Sequence, residues 1–538
     1  MDLTFADFLK DFDKYGKGEW ITVYSNGNNS KEESSGFYSA IIPIDKISES
    51  LEDTSWDFHI GDGFPGFSFQ FIDGKEIGTY SRCSEDGVEP LAIRRSFSSM
   101  KEGYWEILEE FRYYFNLYED RVNKKYVFID ENGDDEDVVL ISDTEVKIKA
   151  KQIKIFLAVK KMCLALFFDF NRFSEKTIEQ LGIKECHDNK KGEDFVYSIG
   201  ARNWTHSGDE IKSQGFLMGK KLIFGLENFK PTCLDKTGKV YLDFIIGIDD
   251  NGKEILHTCD ESKLANYFGK NPGSPQFITP ILFKKEVLGK YYSQPEKYTV
   301  EDGLVSCGMW SLRIDNNHSD FIMAFLGDLG HLPHKEQMHW RSCNLATKGK
   351  MSHVAWKRGF EAQFADPEQS DLFFKYKFEI FQKKWEKEYG WKLFLPLNKD
   401  DFHHLKTLRI PLTNEQKEFD EQVLSLTKIF IDSLNEKELG QCIGSEKHNL
   451  KGIDKFEAFI LAKGIKFKGM IEFLRNLQEI RSSGVAHRKG TKYKKVAKYF
   501  SIGEKDLSKV FDDILIRCIW ALNSLENHLL KDKNISEK

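Results

Sequence analysis

The spacing of apolar and polar residues predicts antiparallel strands in the N-terminal part of the chain. Short runs of strand-forming residues alternate with turn residues, as in GEWITVYSNGNN, GFYSAIIPI and GFSFQFIDGKEIGTYSR. Runs of this kind, bounded by turn residues, are typical of half-buried strands. Asn132 with Gly133, and Asn251 with Gly252, separate further strand-like runs and predict two hairpin turns. We therefore expect a β-rich region before about residue 330.

Helical spacing of apolar residues appears at two places in this region and dominates the C-terminal part. It predicts helices over residues 104–120 and 148–165, and a helical stretch over 345–400. After Pro411, a capping box of Thr413 and Gln416 is expected to open a helical domain. Its first helix has an apolar stripe, and the whole domain is predicted to contain that helix and three more, at residues 453–465, 467–483 and 507–530.

These patterns predict an α+β protein with four segments. Residues 1–185 are expected to form a β-rich N-terminal domain. Residues 186–344 form a second β-rich segment, and the pattern leaves open whether it is continuous with the first. Residues 345–410 are expected to be a helical connector, and residues 411–531 a four-helix bundle. The 538 residues suffice for several domains of roughly 150 residues each.

Composition mainly excludes classes of protein. The formal net charge of −7 argues against a general nucleic-acid binder, so any polyanion site must be a local basic surface. The nine cysteines are scattered singly without a CxxC pair, which favours reduced thiols over disulfides or a zinc ribbon. The N-terminus does not resemble a signal peptide, and the longest apolar stretch is too short for a bilayer. We expect a soluble, cytoplasmic protein without a membrane partner.

Several candidate motifs fail on spacing. The acidic run over residues 130–137 does not fit an EF-hand loop, because Gly133 comes too early and Ile141 stands at the bidentate ligand position. His334 and His339 are too far apart for an HExxH zinc motif, so a structural or interface role is expected for them. P-loop, Rossmann and nucleophile-elbow motifs are absent from the sequence. No metal and no cofactor are expected.

The densest cluster of charge lies between residues 481 and 498. This stretch has no acidic residue, and its seven basic residues are Arg481, Arg488, Lys489, Lys492, Lys494, Lys495 and Lys498. Tyr493 and Tyr499 are interleaved and could stack on bases. The alternative interpretation is a solvated helix face, but such faces usually carry acids as well. The stretch is therefore predicted to bind a polyanion.

The segment Arg481-Ser-Ser-Gly-Val-Ala-His487 opens this basic stretch at the end of the third predicted helix. A regular helix would place Arg481 and His487 on different faces. The intervening Ser482, Ser483 and Gly484 are weak helix formers, so a helix break that brings the two side chains together is expected there.

Together with the helices around it, this segment resembles the Arg-x(4–6)-His motif of the HEPN-superfamily ribonucleases. The resemblance covers about residues 411–531. Ser482 departs from the Asn, Asp or His that many members carry after the arginine. A large β-rich region followed by such a domain is also similar to abortive-infection, anti-phage proteins of the ApeA-like type.

The resemblance implies a metal-independent endoribonuclease that uses the RNA 2′-OH as nucleophile, with Arg481 and His487 as the catalytic residues. Histidine suits proton transfer at neutral pH, and a guanidinium stabilises phosphate charge. One histidine does not easily perform both proton transfers, so a homodimer through the C-terminal helical domain is implied. The residues expected to bind RNA are Ser482, Arg488, Lys489, Lys492, Tyr493, Lys494, Lys495 and Lys498.

We accordingly expect a toxin or anti-phage defence effector that cleaves host or phage RNA. The N-terminal region would sense infection or regulate the nuclease, with a phage-derived trigger as a further partner. The alternative is a catalytically inactive HEPN-like dimerisation or binding module on a partner-recognition scaffold.

Overall fold

The chain forms two compact units. The N-terminal unit consists of Met1–Asp130 with Asp134–Thr237, and the C-terminal unit of Glu131–Gly133 with Gly238–Lys538. The computed structural model describes residues 3, 5–27, 32–55, 66–81, 87–95, 97, 100–204, 210–227, 229, 239–346, 349–443, 450–485 and 490–530. The predicted α+β class is confirmed, because strands predominate in the N-terminal unit and helices at the C-terminal end.

The N-terminal unit is mainly antiparallel sheet. Its strands are β1 (Trp20–Gly27), β2 (Glu33–Pro43), β3 (Gly66–Ile72), β4 (Lys75–Ser81), β5 (Ala92–Arg95), β6 (Tyr104–Ile107), β7 (Tyr118–Asp120), β8 (Lys125–Ile129), β9 (Asp135–Ile141), β10 (Glu145–Lys149), β11 (Met162–Ser174), β12 (Cys186–Lys191), β13 (Phe195–Asn203) and β14 (Ser213–Ile223). Its helices are α1 (Ala6–Asp11), α2 (Ile47–Ser50), α3 (Glu109–Tyr114) and α4 (Ala150–Lys160).

Ten of these strands form one sheet in the order β12-β13-β14-β11-β2-β1-β10-β9-β8-β7. Strand β11 pairs antiparallel with β14 on one side and β2 on the other. The sheet therefore crosses the expected boundary after residue 185, and the first part of segment 186–344 is continuous with the N-terminal domain. Helix α4 buries Ile153, Phe156 and Leu157 in the core beside the sheet.

The predicted bounds of two helices in this unit were wrong. The helix predicted over 148–165 ends at Lys160, where Lys161 adopts a left-handed conformation and the buried strand β11 follows. A continuous apolar run has no period that separates a buried strand from a helix. Residues 104–120 contain β6, α3 and β7 instead of one helix, because β6 pairs with β5. Both predicted Asn-Gly hairpins are confirmed, between β8 and β9 and between β15 (Asp243–Ile248) and β16 (Glu254–Thr258).

The C-terminal unit begins with small sheets and ends in helices. Its further strands are β17 (Pro280–Phe283), β18 (Thr299–Glu301), β19 (Leu304–Cys307), β20 (Trp310–Arg313), β21 (Ile322–Phe325) and β22 (Asn344–Leu345). Its helices are α5 (Gly289–Tyr292), α6 (Leu326–Leu329), α7 (His334–Ser342), α8 (His353–Gly359), α9 (Ser370–Tyr389), α10 (His403–Thr407), α11 (Gln416–Thr427), α12 (Glu436–Ile443), α13 (Gly452–Ala462), α14 (Lys468–Ile480), α15 (Thr491–Tyr499) and α16 (Leu507–Leu529).

Helix α7 carries the histidines that the sequence assigned a structural role. His339 Nε2 lies 2.8 Å from the carbonyl oxygen of Val287, and His334 Nδ1 lies 3.3 Å from that of Val240. Between them, the buried carboxylate of Glu336 accepts hydrogen bonds from Lys290 and Tyr291. Within the described part of the chain, no group of three His, Cys, Asp or Glu side chains is placed to hold a metal ion.

The C-terminal helices share one hydrophobic core. Phe381 and Trp385 of α9 belong to it, so α9, in the expected connector, packs with the bundle. The four predicted helices correspond to α11, α13, α14 and α16, and the structure adds α12 and α15. The expected capping box is wrong, because Glu415 is the N-cap of α11 and the Thr413 hydroxyl donates to Glu418. Among the described residues, no helix is long and apolar enough to cross a membrane.

Candidate nucleic-acid interface

Helix α14 brings Arg481 to the surface by burying its apolar face. Its buried residues are Met470, Ile471, Phe473, Leu474, Leu477 and Ile480. After Ile480 the helix widens into a π-helical turn, Arg481–Val485. The hydroxyls of Ser482 and Ser483 donate to the carbonyl oxygens of Gln478 and Glu479, at 2.8 and 2.7 Å. The weak helix formers therefore change the type of helix here, where the sequence suggested an open break.

Arg481 forms an ion pair with Asp432. The guanidinium Nη1 lies 3.2 Å from Asp432 Oδ2, and the two side chains are 30% and 35% exposed. Asp432 ends another π-helical turn, Lys428–Asp432, which continues α11. Burial raises the pKa of Asp432 above its ordinary value, although Arg481 and Lys428 oppose the shift. Solvent can reach the pair, because about a third of each side chain is exposed.

A second ionic contact lies behind Asp432. Lys428 Nζ is 2.5 Å from Asp401 Oδ1, and this hydrogen bond holds the pKa of Asp401 below its usual range. His404 is buried, and its Nδ1 lies 2.9 Å from Ser425 Oγ. Burial, together with the nearby His403 and Lys428, lowers the pKa of His404 to about 4. His404 is therefore neutral at pH 7 and has a packing role.

The described part of the lysine-rich stretch contains a helix, α15. Its apolar side is buried through Val496 and Ala497. Its polar side exposes four lysines that form no ion pair with any acid in the described part of the chain: Lys492, Lys494, Lys495 and Lys498. This surface, which we name the lysine face, attracts polyanions because nothing on the helix neutralises it.

The two tyrosines are less available for base stacking than the sequence suggested. Tyr493 is half-buried and packs against the helical core. Tyr499 is also half-buried, and its ring lies 5.2 Å from the guanidinium of Arg517 in α16. Such a contact is a cation–π interaction that occupies one face of the ring.

The structure brings part of the predicted site together. Helix α15 packs against α14 and against the π-helical turn that begins at Arg481. Arg481, Ser482 and the lysine face therefore belong to neighbouring elements. The predicted residues His487, Arg488 and Lys489 lie outside the described residues.

Asp432 is the site residue that sequence reasoning missed. It stands 49 positions before Arg481, and no motif links the two. Its only local signal is its place between the buried Phe430 and Leu434 of the predicted apolar stripe.

Comparison with known proteins adds no relative: no protein-family model, curated protein or solved structure matches this chain. A guanidinium in an open ion pair is suited to binding phosphate groups, and so are the unpaired lysines of the helix that packs against its turn.

Proposed function

We propose that this protein is a metal-independent endoribonuclease of the HEPN type that acts as a toxin or anti-phage effector. One observation carries the proposal: the lysine face lies on a helix that packs against the turn bearing Arg481. The lysines would hold the RNA backbone, and Arg481 would bind the phosphate to be cleaved.

The proposed reaction needs only groups of the chain and the substrate. The RNA 2′-OH attacks the adjacent phosphorus, the bond to the 5′-oxygen breaks, and a 2′,3′-cyclic phosphate forms. His487 is proposed to move the protons, and Arg481 to stabilise charge on the phosphoryl oxygens. For this, Arg481 leaves Asp432, whose exposed ion pair is of the weak kind that costs about 0–1 kcal/mol to break.

A homodimer is part of the proposal because one histidine is too few for both proton transfers. An exposed apolar pair on α16, Ile516 and Trp520, supports it, since each is about half exposed and they stand one helical turn apart. They flank Arg517, which contacts Tyr499 at the end of α15. A second copy of the chain would cover this surface beside the lysine face.

The test is incubation of the full chain with end-labelled RNA in the presence of a metal chelator. We expect the wild type to produce fragments that end in a cyclic phosphate, and His487→Ala to reduce cleavage by a factor of about 100 or more. His528→Ala is the matched control, because His528 is an exposed histidine of α16 and lies outside the proposed site.

Two measurements accompany the cleavage assay. Light scattering is expected to give the mass of a dimer, and expression in bacterial cells is expected to arrest growth only when His487 is present. Equal cleavage by the wild type and His487→Ala contradicts the proposal. A monomeric protein, or no cleavage together with no growth arrest, contradicts it as well.

One observation favours the second candidate, a catalytically inactive binding module on a partner-recognition scaffold. Arg481 already has an anionic partner, Asp432. If that pair is permanent, Arg481 stabilises the bundle and does not bind RNA. In that case Arg481→Gln lowers stability and leaves RNA affinity unchanged.

A further inference from the structure

A cleft in the N-terminal unit has the features of a small-molecule site. It has a volume of about 850 Å³ and is lined by β5 to β8, α3 and the turn between β9 and β10. Ligand pockets commonly have volumes of about 300–1,000 Å³. Five basic and five acidic side chains line it, so it has no excess charge that would attract a long polyanion.

Arg112 is a partly buried arginine of this cleft whose charge lacks an anionic partner among the described residues. The guanidinium of Arg112 lies 5.9 Å from the ring centre of Tyr126. Its Nε is buried without a hydrogen-bond acceptor, and the described residues provide no carboxylate that forms an ion pair with it. The buried Nε is out of reach of a ligand, but Arg112 lines the cleft, so an anionic oxygen bound there would contact the accessible part of its guanidinium and gain a charge-assisted hydrogen bond.

Three of the four other cations in the lining are already paired. Ion pairs of 3.3, 2.9 and 2.7 Å join Arg121 to Glu119, Lys124 to Asp143 and Lys125 to Asp137. The fourth, Arg94, forms no ion pair within the described part of the chain and is exposed. Charge recognition in the cleft therefore rests on Arg112 and Arg94.

Aromatic rings provide a flat apolar surface in the same cleft. Tyr104 is 51% exposed and stacks on Phe97, with their ring centres 5.8 Å apart. Trp105 is half-buried and packs on Tyr24, at 4.2 Å between ring centres. A planar heterocycle stacks well on such rings.

We propose that this cleft binds a nucleoside phosphate, with a phosphate oxygen on Arg112 and the base against Tyr104 or Trp105. The combination of the unpaired guanidinium groups of Arg112 and Arg94 with an aromatic surface favours a ligand that is both anionic and planar. The balanced charge of the lining as a whole favours a small ligand over a nucleic-acid strand. This proposal does not depend on the proposed ribonuclease activity of the C-terminal unit.

The experiment is calorimetric titration of the full chain with each of the four ribonucleoside monophosphates and triphosphates. We expect at least one to bind saturably, with one molecule per chain. Arg112→Gln is expected to weaken that binding roughly tenfold or more. Arg121→Gln is the matched control and should change it by less than about twofold, because Arg121 is 83% exposed and paired with Glu119.

Arg112→Lys and the thermal unfolding of each variant separate ligand binding from folding. A folded Arg112→Lys protein should retain part of the affinity, since it keeps the charge but loses the planar fork. The corresponding nucleoside, which lacks the phosphate, should bind at least about tenfold more weakly than the nucleotide. Pyrophosphate alone should also bind more weakly than the nucleotide.

Several results overturn the proposal. They are the absence of saturable nucleotide binding at millimolar concentration, equal weakening by Arg112→Gln and Arg121→Gln, and binding of the nucleoside or of pyrophosphate as tight as that of the nucleotide. The proposal is also overturned if replacing Lys492, Lys494 and Lys495 with glutamine abolishes nucleotide binding while Arg112→Gln leaves it intact. That result would place the ligand on the lysine face.

Discussion

Two arginine–carboxylate pairs of the C-terminal unit differ in how far they are shielded from solvent. Arg409 Nη2 lies 2.6 Å from Glu418 Oε1, and the side chains are only 13% and 12% exposed. Arg481 and Asp432 lie 3.2 Å apart at 30% and 35% exposure. The guanidinium of Arg409 also lies 4.6 Å from the ring centre of Tyr292. The first pair is enclosed by the fold, and the second is open to solvent.

The two carboxylates also differ in how many other hydrogen bonds they accept. Glu418 also accepts hydrogen bonds from the backbone of Leu412 and from the backbone and hydroxyl of Thr413. Burial raises the pKa of Glu418, but these bonds and Arg409 together bring it below its ordinary value. For Asp432 burial prevails, and its pKa is raised. Water can take the place of Arg481 at the partly exposed Asp432 but cannot take the place of Arg409 at the enclosed Glu418, so the open pair suits a binding site and the enclosed pair suits a structural joint.

The largest effect on stability is expected when the arginine of each pair is replaced in turn and the two variants are compared. Arg409→Gln should lower the free energy of unfolding by about 3–5 kcal/mol, because it leaves Glu418 buried without its cation. Arg481→Gln should lower it by less than about 1 kcal/mol, as for an exposed pair. Urea denaturation followed by circular dichroism measures both. Equal destabilisation by the two substitutions would remove the distinction between the pairs.

The pH dependence of the free energy of unfolding tests whether His404 is buried in its neutral form. The pKa of His404 is about 4 in the folded chain, against about 6.5 in an unfolded one. As the pH falls, His404 is therefore protonated at a higher pH in the unfolded state than in the folded state. The stability that the neutral, buried His404 contributes is complete above about pH 6.5 and is lost as the pH falls towards 4. At pH 5 the loss should be about 2 kcal/mol.

His404→Gln should abolish this part of the pH dependence, and denaturation curves at pH 7.5 and 5 measure it. His528→Gln is the control, since His528 is exposed. If wild type and His404→Gln lose the same stability between the two pH values, His404 is not buried in its neutral form.

The lysine face is tested by its salt dependence. Replacing Lys492, Lys494 and Lys495 with glutamine should reduce the slope of log affinity for single-stranded RNA against log salt by about 2, with a roughly tenfold loss of affinity at physiological salt. The matched control replaces three exposed lysines of α9: Lys383, Lys384 and Lys387. Two of these already pair with acids, Lys383 with Glu379 and Lys384 with Glu526. An unchanged slope in the first triple variant would place the RNA path elsewhere.

The sequence predicted what is encoded locally. The amphipathic period gave α11, α13, α14 and α16, because each buries one face in a shared core. It did not separate β11 from α4, since a central strand that is buried on both faces has no period. The sequence of α15 also has a short apolar side, Val496 and Ala497, which is buried in the structure and lies among its lysines in the sequence. Asp432 could not be predicted, because its contact with Arg481 depends on how two distant helices pack.

The smallest effect, and the most direct test of the open pair, is expected from Asp432→Asn. This substitution removes the charge that competes with phosphate for Arg481, so RNA affinity should rise about two- to fivefold, the worth of an exposed ion pair. Fluorescence anisotropy in a His487→Ala background measures binding without cleavage. Asp454→Asn is the matched control, since Asp454 pairs at 2.8 Å with Arg475, a partly exposed arginine of α14. A gain in both variants would reflect only the loss of one negative charge. A fall in affinity after Asp432→Asn would mean that the carboxylate orients Arg481 for RNA and does not compete with it.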